Sequence, residues 1–330
     1  MRATNKPLRA LLAAFAVMAL ALFAVACGDD DSDGATETTD AGASGQIESN
    51  PDNSGTSLTI GSKNFTEQIV LGEIFAQALE AAGYDVKTDL NLGSEQIALR
   101  SLKSGDVDGY PEYTSTALTS FFDLPAEEVP SDAQEAADQA SSEFEGDDVV
   151  VFEPTPFVSA NAVGLTRETA EELDVETISD LEGVSQDLTL FGSPECRQRV
   201  DCLVGLEENY GLEFAEFNPV DIGLRYEVLD KGQADLSILF TTDAQLAGED
   251  SDYVILEDDQ EVFPAGNVIF LASGQSVEEA GPDYQDTIEL VQSGLTEEVM
   301  QELNARVDLD KEDPADVADD YLVETGYIQG

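Results

Sequence analysis

Residues 102–116 read LKSGDVDGYPEYTST and residues 229–243 read LDKGQADLSILFTTD, and the two stretches align without a gap. Leu102, Gly105, Asp108, Tyr113, Thr114 and Thr116 fall opposite Leu229, Gly232, Asp235, Phe240, Thr241 and Asp243. Each copy reads as a helix stopped by a glycine, which accepts the left-handed conformation at a helix C-terminus, followed by a strand and an aromatic-Thr loop. A second pair lies upstream. Leu58-Thr59-Ile60 before Gly61-Ser62 parallels Leu188-Thr189-Leu190 before Phe191 and Gly192-Ser193. Two matches in the same order favour duplication over a chance likeness of strand-ending loops.

Around these loops the first copy fills in as alternating elements. Phe65 to Ala82 places Leu71, Phe75, Ala78 and Ala82 on one helical face, with Gly83 as the stop. Val86 to Leu92 reads as a strand, Ser94 to Lys103 as a helix and Val107 to Tyr110 as a strand. Such alternation implies an α/β fold of mostly parallel sheets covered on both faces, with ligands bound outside the carboxyl ends of the strands. The turns at Gly61-Ser62 and Gly192-Ser193 and the loops 113–116 and 240–243 belong there, so two lobes enclose a cleft. Residues 157–164 (FVSANAVG) and 263–270 (FPAGNVIF) resemble each other and flank the second copy. They read as paired crossover strands, giving one lobe from 58–157 and 266–330 and another from 158–265. Two C-terminal amphipathic helices, opened by Thr296 and by Pro314, return to the first lobe.

The N-terminus reads as a processing signal. Arg2, Lys6 and Arg9 precede an apolar run from Leu11 to Val25, which ends in Ala24-Val25-Ala26-Cys27. This resembles the lipobox of bacterial lipoproteins and implies cleavage after residue 26 and lipidation of Cys27. An ordinary signal peptide or a single membrane anchor is the alternative, although the run is shorter than the roughly 20 residues a spanning helix needs. Residues 27–57 then read as the lipidated cysteine and a disordered acidic tether, too polar to offset its chain entropy by burial.

The chain carries 14 Lys and Arg against 70 Asp and Glu, a net charge of −56. That surface repels nucleic acid and anionic headgroups; solubility through self-repulsion is one reading of it and adaptation to a saline habitat the other, and charge excess alone does not separate the two. Histidine is absent, which removes Ser-His-Asp and Cys-His relays and the commonest metal ligand. Carboxylate-only catalysis remains formally open, but no placed pair stands out. An enzyme is therefore not expected, and neither a metal nor a cofactor is. Cys196 and Cys202, in PECRQRVDC, read as a short-loop disulfide in an oxidising compartment; a metal or redox pair would need further ligands or C-x-x-C spacing.

GSKNFTEQ (61–68), GYPEYTST (109–116), PECRQRVDCLVGLEENYG (194–211), LRYEVLDKGQADLSILFTTD (224–243) and LNARVDLDKEDPADVADDYL (303–322) closely resemble glycine betaine/choline-binding proteins of ABC importers, the ProX and OpuAC type. The resemblance runs from about Leu58 to Tyr327 and implies a type II periplasmic-binding-protein fold. It implies that Lys63 meets a ligand carboxylate and that Arg199 binds the carboxylate or ties the closed lobes together. Tyr113 and Thr116 match the aromatic and the hydroxyl of the first loop. Asn161 and Phe240 stand where better-studied members place further tyrosines of an aromatic cage, and Asn267 sits beside Gly266 near the return crossover. With Asp243 from the second loop, the candidate ligand-binding set is Lys63, Tyr113, Thr116, Asn161, Arg199, Phe240, Asp243 and Asn267. Tyr226 and Phe157 could supply missing rings but read more readily as core.

The implied ligands are quaternary-ammonium osmoprotectants such as glycine betaine, choline or carnitine. The thinned cage leaves a polar amino-acid derivative, such as ergothioneine, as the other reading. The implied partners are the solute, an ABC permease and its ATPase, and the membrane through the lipid alone; the receptor is expected to be a monomer on the extracytoplasmic face. A sensory protein on the same fold is the alternative of another class, and no kinase, methyl-accepting or permease segment is recognised.

Overall fold

The computed structural model describes residues 45–247 and 251–330. The signal segment, Cys27 and the tether up to residue 44 lie outside them. The described strands are, in chain order, β1 (Ser57–Gly61), β2 (Asp85–Asp89), β3 (Gly109–Tyr113), β4 (Val149–Val151), β5 (Val158–Ser159), β6 (Asn161–Thr166), β7 (Thr189–Gly192), β8 (Glu216–Pro219), β9 (Leu236–Phe240), β10 (Tyr253–Ile255) and β11 (Gly266–Ser273). They form two sheets, ordered β2-β1-β3-β11-β4 and β8-β7-β9-β6-β10.

The two orders are the same plan, with β1, β2 and β3 matched by β7, β8 and β9. β3 and β9 occupy the same positions of the repeated stretch, and one device secures both. Asp108 Oδ2 accepts from the Thr59 amide at 2.7 Å, and Asp235 Oδ2 accepts from the Thr189 amide at 2.8 Å. Each Asp amide also donates back to the same threonine's carbonyl. The aspartate common to the two copies, just ahead of β3 or β9, thus ties the start of that strand to β1 or β7. Gly105 and Gly232 take φ of +76° and +60°, the left-handed geometry that ends the preceding helix.

The sheets are mixed, which corrects the expectation of mostly parallel ones. β1 runs parallel to β2 and β3, but β11 is antiparallel to β3, β4 and β5. In the second sheet β7 is parallel to β8 and β9, while β6 is antiparallel to β9 and β10. The antiparallel strand beside β3 and beside β9 is in each case the one by which the chain enters from the other lobe, so it runs against the βαβ direction. Where the lobes join, β5 pairs with the start of β11, with Ser159 opposite Gly266 and Val158 opposite Asn267.

Each sheet is covered by helices and has its own apolar core. Leu71, Ile74 and Phe75 of the helix Thr66–Ala81 pack with Ile60, Phe270, Tyr284 and Leu322 in the first lobe. Val163, Leu190, Leu206, Leu236 and Ile238 form the core of the second. The C-terminal helices run Glu297–Asp308, capped by the Thr296 hydroxyl, and Pro314–Glu324, capped by Asp313.

Residues 45–57, read from the sequence as tether, are folded onto the first lobe. The Ile47 amide donates to the Tyr327 carbonyl at 2.8 Å, and a 3-10 helix spans Pro51–Gly55. Asn50 Nδ2 donates to Asp283 at 2.7 Å, and the buried Asn53 donates to the Ala82 carbonyl at 3.0 Å. Composition missed this because two asparagine side chains and a single apolar residue, Ile47 against the first-lobe core, secure the segment in place of an apolar run.

Candidate functional site

The carboxyl ends of β1, β3, β7 and β9 face one another across a cleft of about 890 Å³ that is continuous with solvent. Lys63, Phe65, Glu95, Tyr113, Ser115 and Thr116 line it from the first lobe. Asn161, Ser193, Glu195, Arg199, Asp201, Arg225 and Phe240 line it from the second. Three of the chain's 14 basic residues gather here, against the carboxylates Glu95, Glu195 and Asp201 on the same walls. In so acidic a protein this is a local balance of charge.

Lys63 lies in the turn two residues after the end of β1 and is buried. Its ammonium pairs with the buried Glu112 and lies 4.5 Å from the Tyr113 ring centroid and 5.7 Å from that of Phe65. Phe65 and Tyr113 are stacked at 6.3 Å, and Phe65 meets Phe240 at 5.1 Å. Three rings from both lobes thus meet at the cleft, and each already has a cation near its face: Lys63 at Phe65 and Tyr113, and Arg225 at Phe240, 4.0 Å from the centroid. Burial raises the Glu112 carboxyl above its ordinary range, opposed by Lys63 and the Tyr113 amide. Burial also raises Glu67 beneath the cleft, against hydrogen bonds from Tyr113, Thr242 and Asn304.

Arg199 projects from the loop closed by the Cys196–Cys202 disulfide, whose Cα atoms lie 5.2 Å apart. Its Nε and Nη2 form a fork on Asp201 at 2.7 and 2.5 Å, Nη2 reaches Thr116 Oγ1 of the first lobe at 3.4 Å, and Nη1 lies 3.6 Å from Glu95. Burial works against the charge, but Asp201, then Glu95 and Glu112, outweigh it and hold the guanidinium above its ordinary pKa. Asn161 Nδ2 donates to the Asp201 carbonyl at 2.9 Å and so braces the same loop.

Lys63, Tyr113, Thr116, Asn161, Arg199 and Phe240 are therefore brought together, while Asp243 and Asn267 are not among the lining residues. Asp243 is buried behind the wall, where it takes Arg225 Nη2 at 2.6 Å, the Tyr226 hydroxyl at 2.8 Å and the Phe240 amide at 2.9 Å. Burial raises its pKa, against Arg225, the Phe240 amide and Tyr226. Asn267 Nδ2 donates to the carbonyls of Thr155 at 2.8 Å and Phe157 at 3.0 Å, joining the crossover strands. Both are spent on the scaffold. Tyr226 and Phe157 do not line the cleft either; Phe157 is core and Tyr226 packs edge-on against Tyr253.

Sequence reasoning missed Phe65, Arg225, Glu95 and Asp201. Phe65 stands within GSKNFTEQ and Arg225 within LRYEVLDK, so both lay in stretches already singled out. With only 14 Lys and Arg in the chain, a basic residue inside one of those stretches was a signal that could have found Arg225.

The family model for the substrate binding domain of ABC-type glycine betaine transport systems, OpuAC, matches residues 56–324. A glycine-betaine-binding protein of Pseudomonas aeruginosa is 33% identical over 278 residues, covering 81% of this chain and 87% of that protein. The ergothioneine transport permease/ergothioneine binding protein EgtU of Helicobacter pylori is 29% identical, covering 82% of this chain and 48% of that protein. Among solved structures, a glycine betaine/carnitine/choline ABC transporter protein aligns at 26% identity and a TM-score of 0.64, covering 82% of this chain and 99% of that one. With the duplicated fold and the interlobe cleft in place, the chain belongs to the substrate-binding domains of ABC-type glycine betaine transport systems.

Proposed function

We propose that this receptor captures a zwitterionic quaternary ammonium solute of the betaine class and delivers it to an ABC permease. The observation that carries the reading is the meeting of Phe65, Tyr113 and Phe240 at a cleft lined by three cations and three carboxylates. Aromatic faces suit a trimethylammonium group, and charge balance suits a ligand bearing both signs over a bare cation. Phe65 supplies the face that Asn161 does not.

The names of the relatives support this class, since they include glycine betaine, carnitine, choline and ergothioneine. An ergothioneine-like solute is the second reading. Glu95 and Glu195 on the cleft walls favour it, because a ring bearing N–H groups would find acceptors there. The protein acts as a monomer at the extracytoplasmic face of the membrane, tethered through lipid on Cys27.

Titration calorimetry of the mature chain with glycine betaine, carnitine, ergothioneine and choline tests the ligand. Binding of a zwitterion about tenfold or more tighter than choline is expected; no heat with any quaternary amine would overturn the assignment. For the anchor, Cys27→Ser moves the protein from the membrane fraction to the soluble exported fraction. Retention of that variant in membranes would refute lipid anchoring.

A further inference from the structure

β3 and β9 end in rings at equivalent positions of the repeat, Tyr113 and Phe240, and a buried ion pair grips each of them in the same way. In the first copy Glu112 Oε1 accepts from the Tyr113 amide at 2.9 Å, and its partner Lys63 lies 4.5 Å from the Tyr113 ring centroid. In the second, Asp243 Oδ2 accepts from the Phe240 amide at 2.9 Å, and the guanidinium carbon of its partner Arg225 lies 4.0 Å from the Phe240 centroid. The acid holds the backbone and the cation covers the ring. Tyr113 has a further tie, because its hydroxyl donates to Glu67. Phe240 has no hydroxyl, so its ring has no polar handle, and the ion pair is the polar grip that it has. The pair is itself anchored, since Asp243 Oδ2 also accepts from the Tyr226 hydroxyl at 2.8 Å.

Stability alone does not account for Arg225 and Asp243. Nε and Nη1 of Arg225 are buried with no hydrogen-bond partner among the described residues. Those N–H groups have lost water and gained no acceptor, and a buried ion pair is often no more stabilising than apolar side chains of similar volume. What the pair supplies is geometry. A planar guanidinium clamped by a carboxylate leaves the ring against it little freedom to tilt. Phe240 has a reason to be fixed, because it lines the cleft and meets Phe65 of the other lobe at 5.1 Å. A ring already in place binds a trimethylammonium group without the cost of ordering a mobile side chain.

We infer that Arg225 and Asp243 are positioning residues, a clamp that presents the Phe240 ring to the quaternary ammonium group of the solute. The inference rests on the betaine-class reading above and adds how the second lobe holds its aromatic face. Both charges act through Phe240 and neither needs to touch the solute.

The test is a double-mutant cycle by titration calorimetry on the mature chain, using the tightest-binding of the four solutes named above and melting temperature as a fold control. Arg225→Lys keeps the charge and removes the planar head, and Arg225→Met/Asp243→Asn removes both buried charges. In whichever of the two melts cooperatively, affinity should fall about threefold to tenfold. On a Phe240→Leu background the same substitutions should cost no more than about twofold, because the ring they position is gone. Para-fluorophenylalanine at position 240 alone reads the ring directly. Solute-free wild type should give one narrow fluorine resonance, and the variants a broadened or divided one. Unchanged affinity, losses of equal size with and without the Phe240 ring, or a broadened or divided wild-type resonance would overturn the clamp while leaving the betaine reading intact. Wild type binding no quaternary amine would overturn both.

Discussion

The hydroxyl of Tyr113 donates to Oε1 of Glu67 at 2.5 Å, beneath the surface of the cleft. Oε2 of the same carboxylate accepts from Asn304 Nδ2 at 2.9 Å, and that amide also reaches the Thr242 carbonyl at 3.1 Å. One buried acid thereby ties a cleft aromatic to a C-terminal helix of the first lobe and to the loop after β9 in the second. Tyr113 does two jobs at once, offering a ring to the cleft and a proton to the scaffold.

The two jobs separate by substitution. Tyr113→Phe keeps the ring and removes the donor, so unfolding free energy should drop by about 1–2 kcal/mol while solute affinity stays within about threefold. Tyr113→Ala removes the face as well, and affinity should fall about tenfold or more. Chemical denaturation and calorimetry on the two variants decide the matter; equal affinity losses would mean that the hydroxyl, not the ring, serves the ligand.

The same acid makes stability depend on pH. Burial raises the Glu67 pKa above 4.5 in the folded chain, so the folded state holds the proton more tightly than the unfolded one. The resulting stabilisation is fully present below pH 4.5 and is lost as pH rises through the folded pKa. Glu112 and Asp243 are shifted the same way by burial. Glu67→Gln should therefore gain on wild type as pH is raised from about 4 to about 7, read from urea midpoints. A wild-type advantage that grows with pH would contradict the direction.

The Cys196–Cys202 disulfide closes the loop that carries Arg199 and Asp201. Replacing both cysteines by serine should cost about 2 kcal/mol, the value expected for so short a loop. Solute affinity should weaken with it, because Arg199 then holds Thr116 less firmly across the cleft. Melting curves with and without reductant check the first effect, and the Ser variant should show no response to reductant.

Asn267 offers a contrast. Asn267→Ala strands the Thr155 carbonyl in a buried site and leaves that of Phe157 with the Thr155 hydroxyl alone, which should destabilise by about 2 kcal/mol, with solute affinity within about threefold of wild type. Lost affinity without lost stability would return Asn267 to the ligand.

What could be read from the chain alone was whatever depends on local backbone requirements and on repetition. Gly105 and Gly232 announce helix ends because few other residues accept positive φ, and Asp108 and Asp235 recur because the same strand junction is built twice. The equivalence of β3 and β9 in their two sheets follows from that repeat, as do most of the cleft residues, since loops at strand ends face one another whenever two such units pair. The rest needed the third dimension. The likeness of 157–164 to 263–270 marked the crossings between lobes, but the antiparallel course of β6 and β11 depends on the direction in which the chain enters each sheet, which no local pattern records. Asp243 and Asn267 turned inward, whereas Phe65 and Arg225 turned to the cleft. A residue's type states which contacts it can make; only packing decides which partners lie within reach, and so whether a charge is spent on the fold or left for the solute.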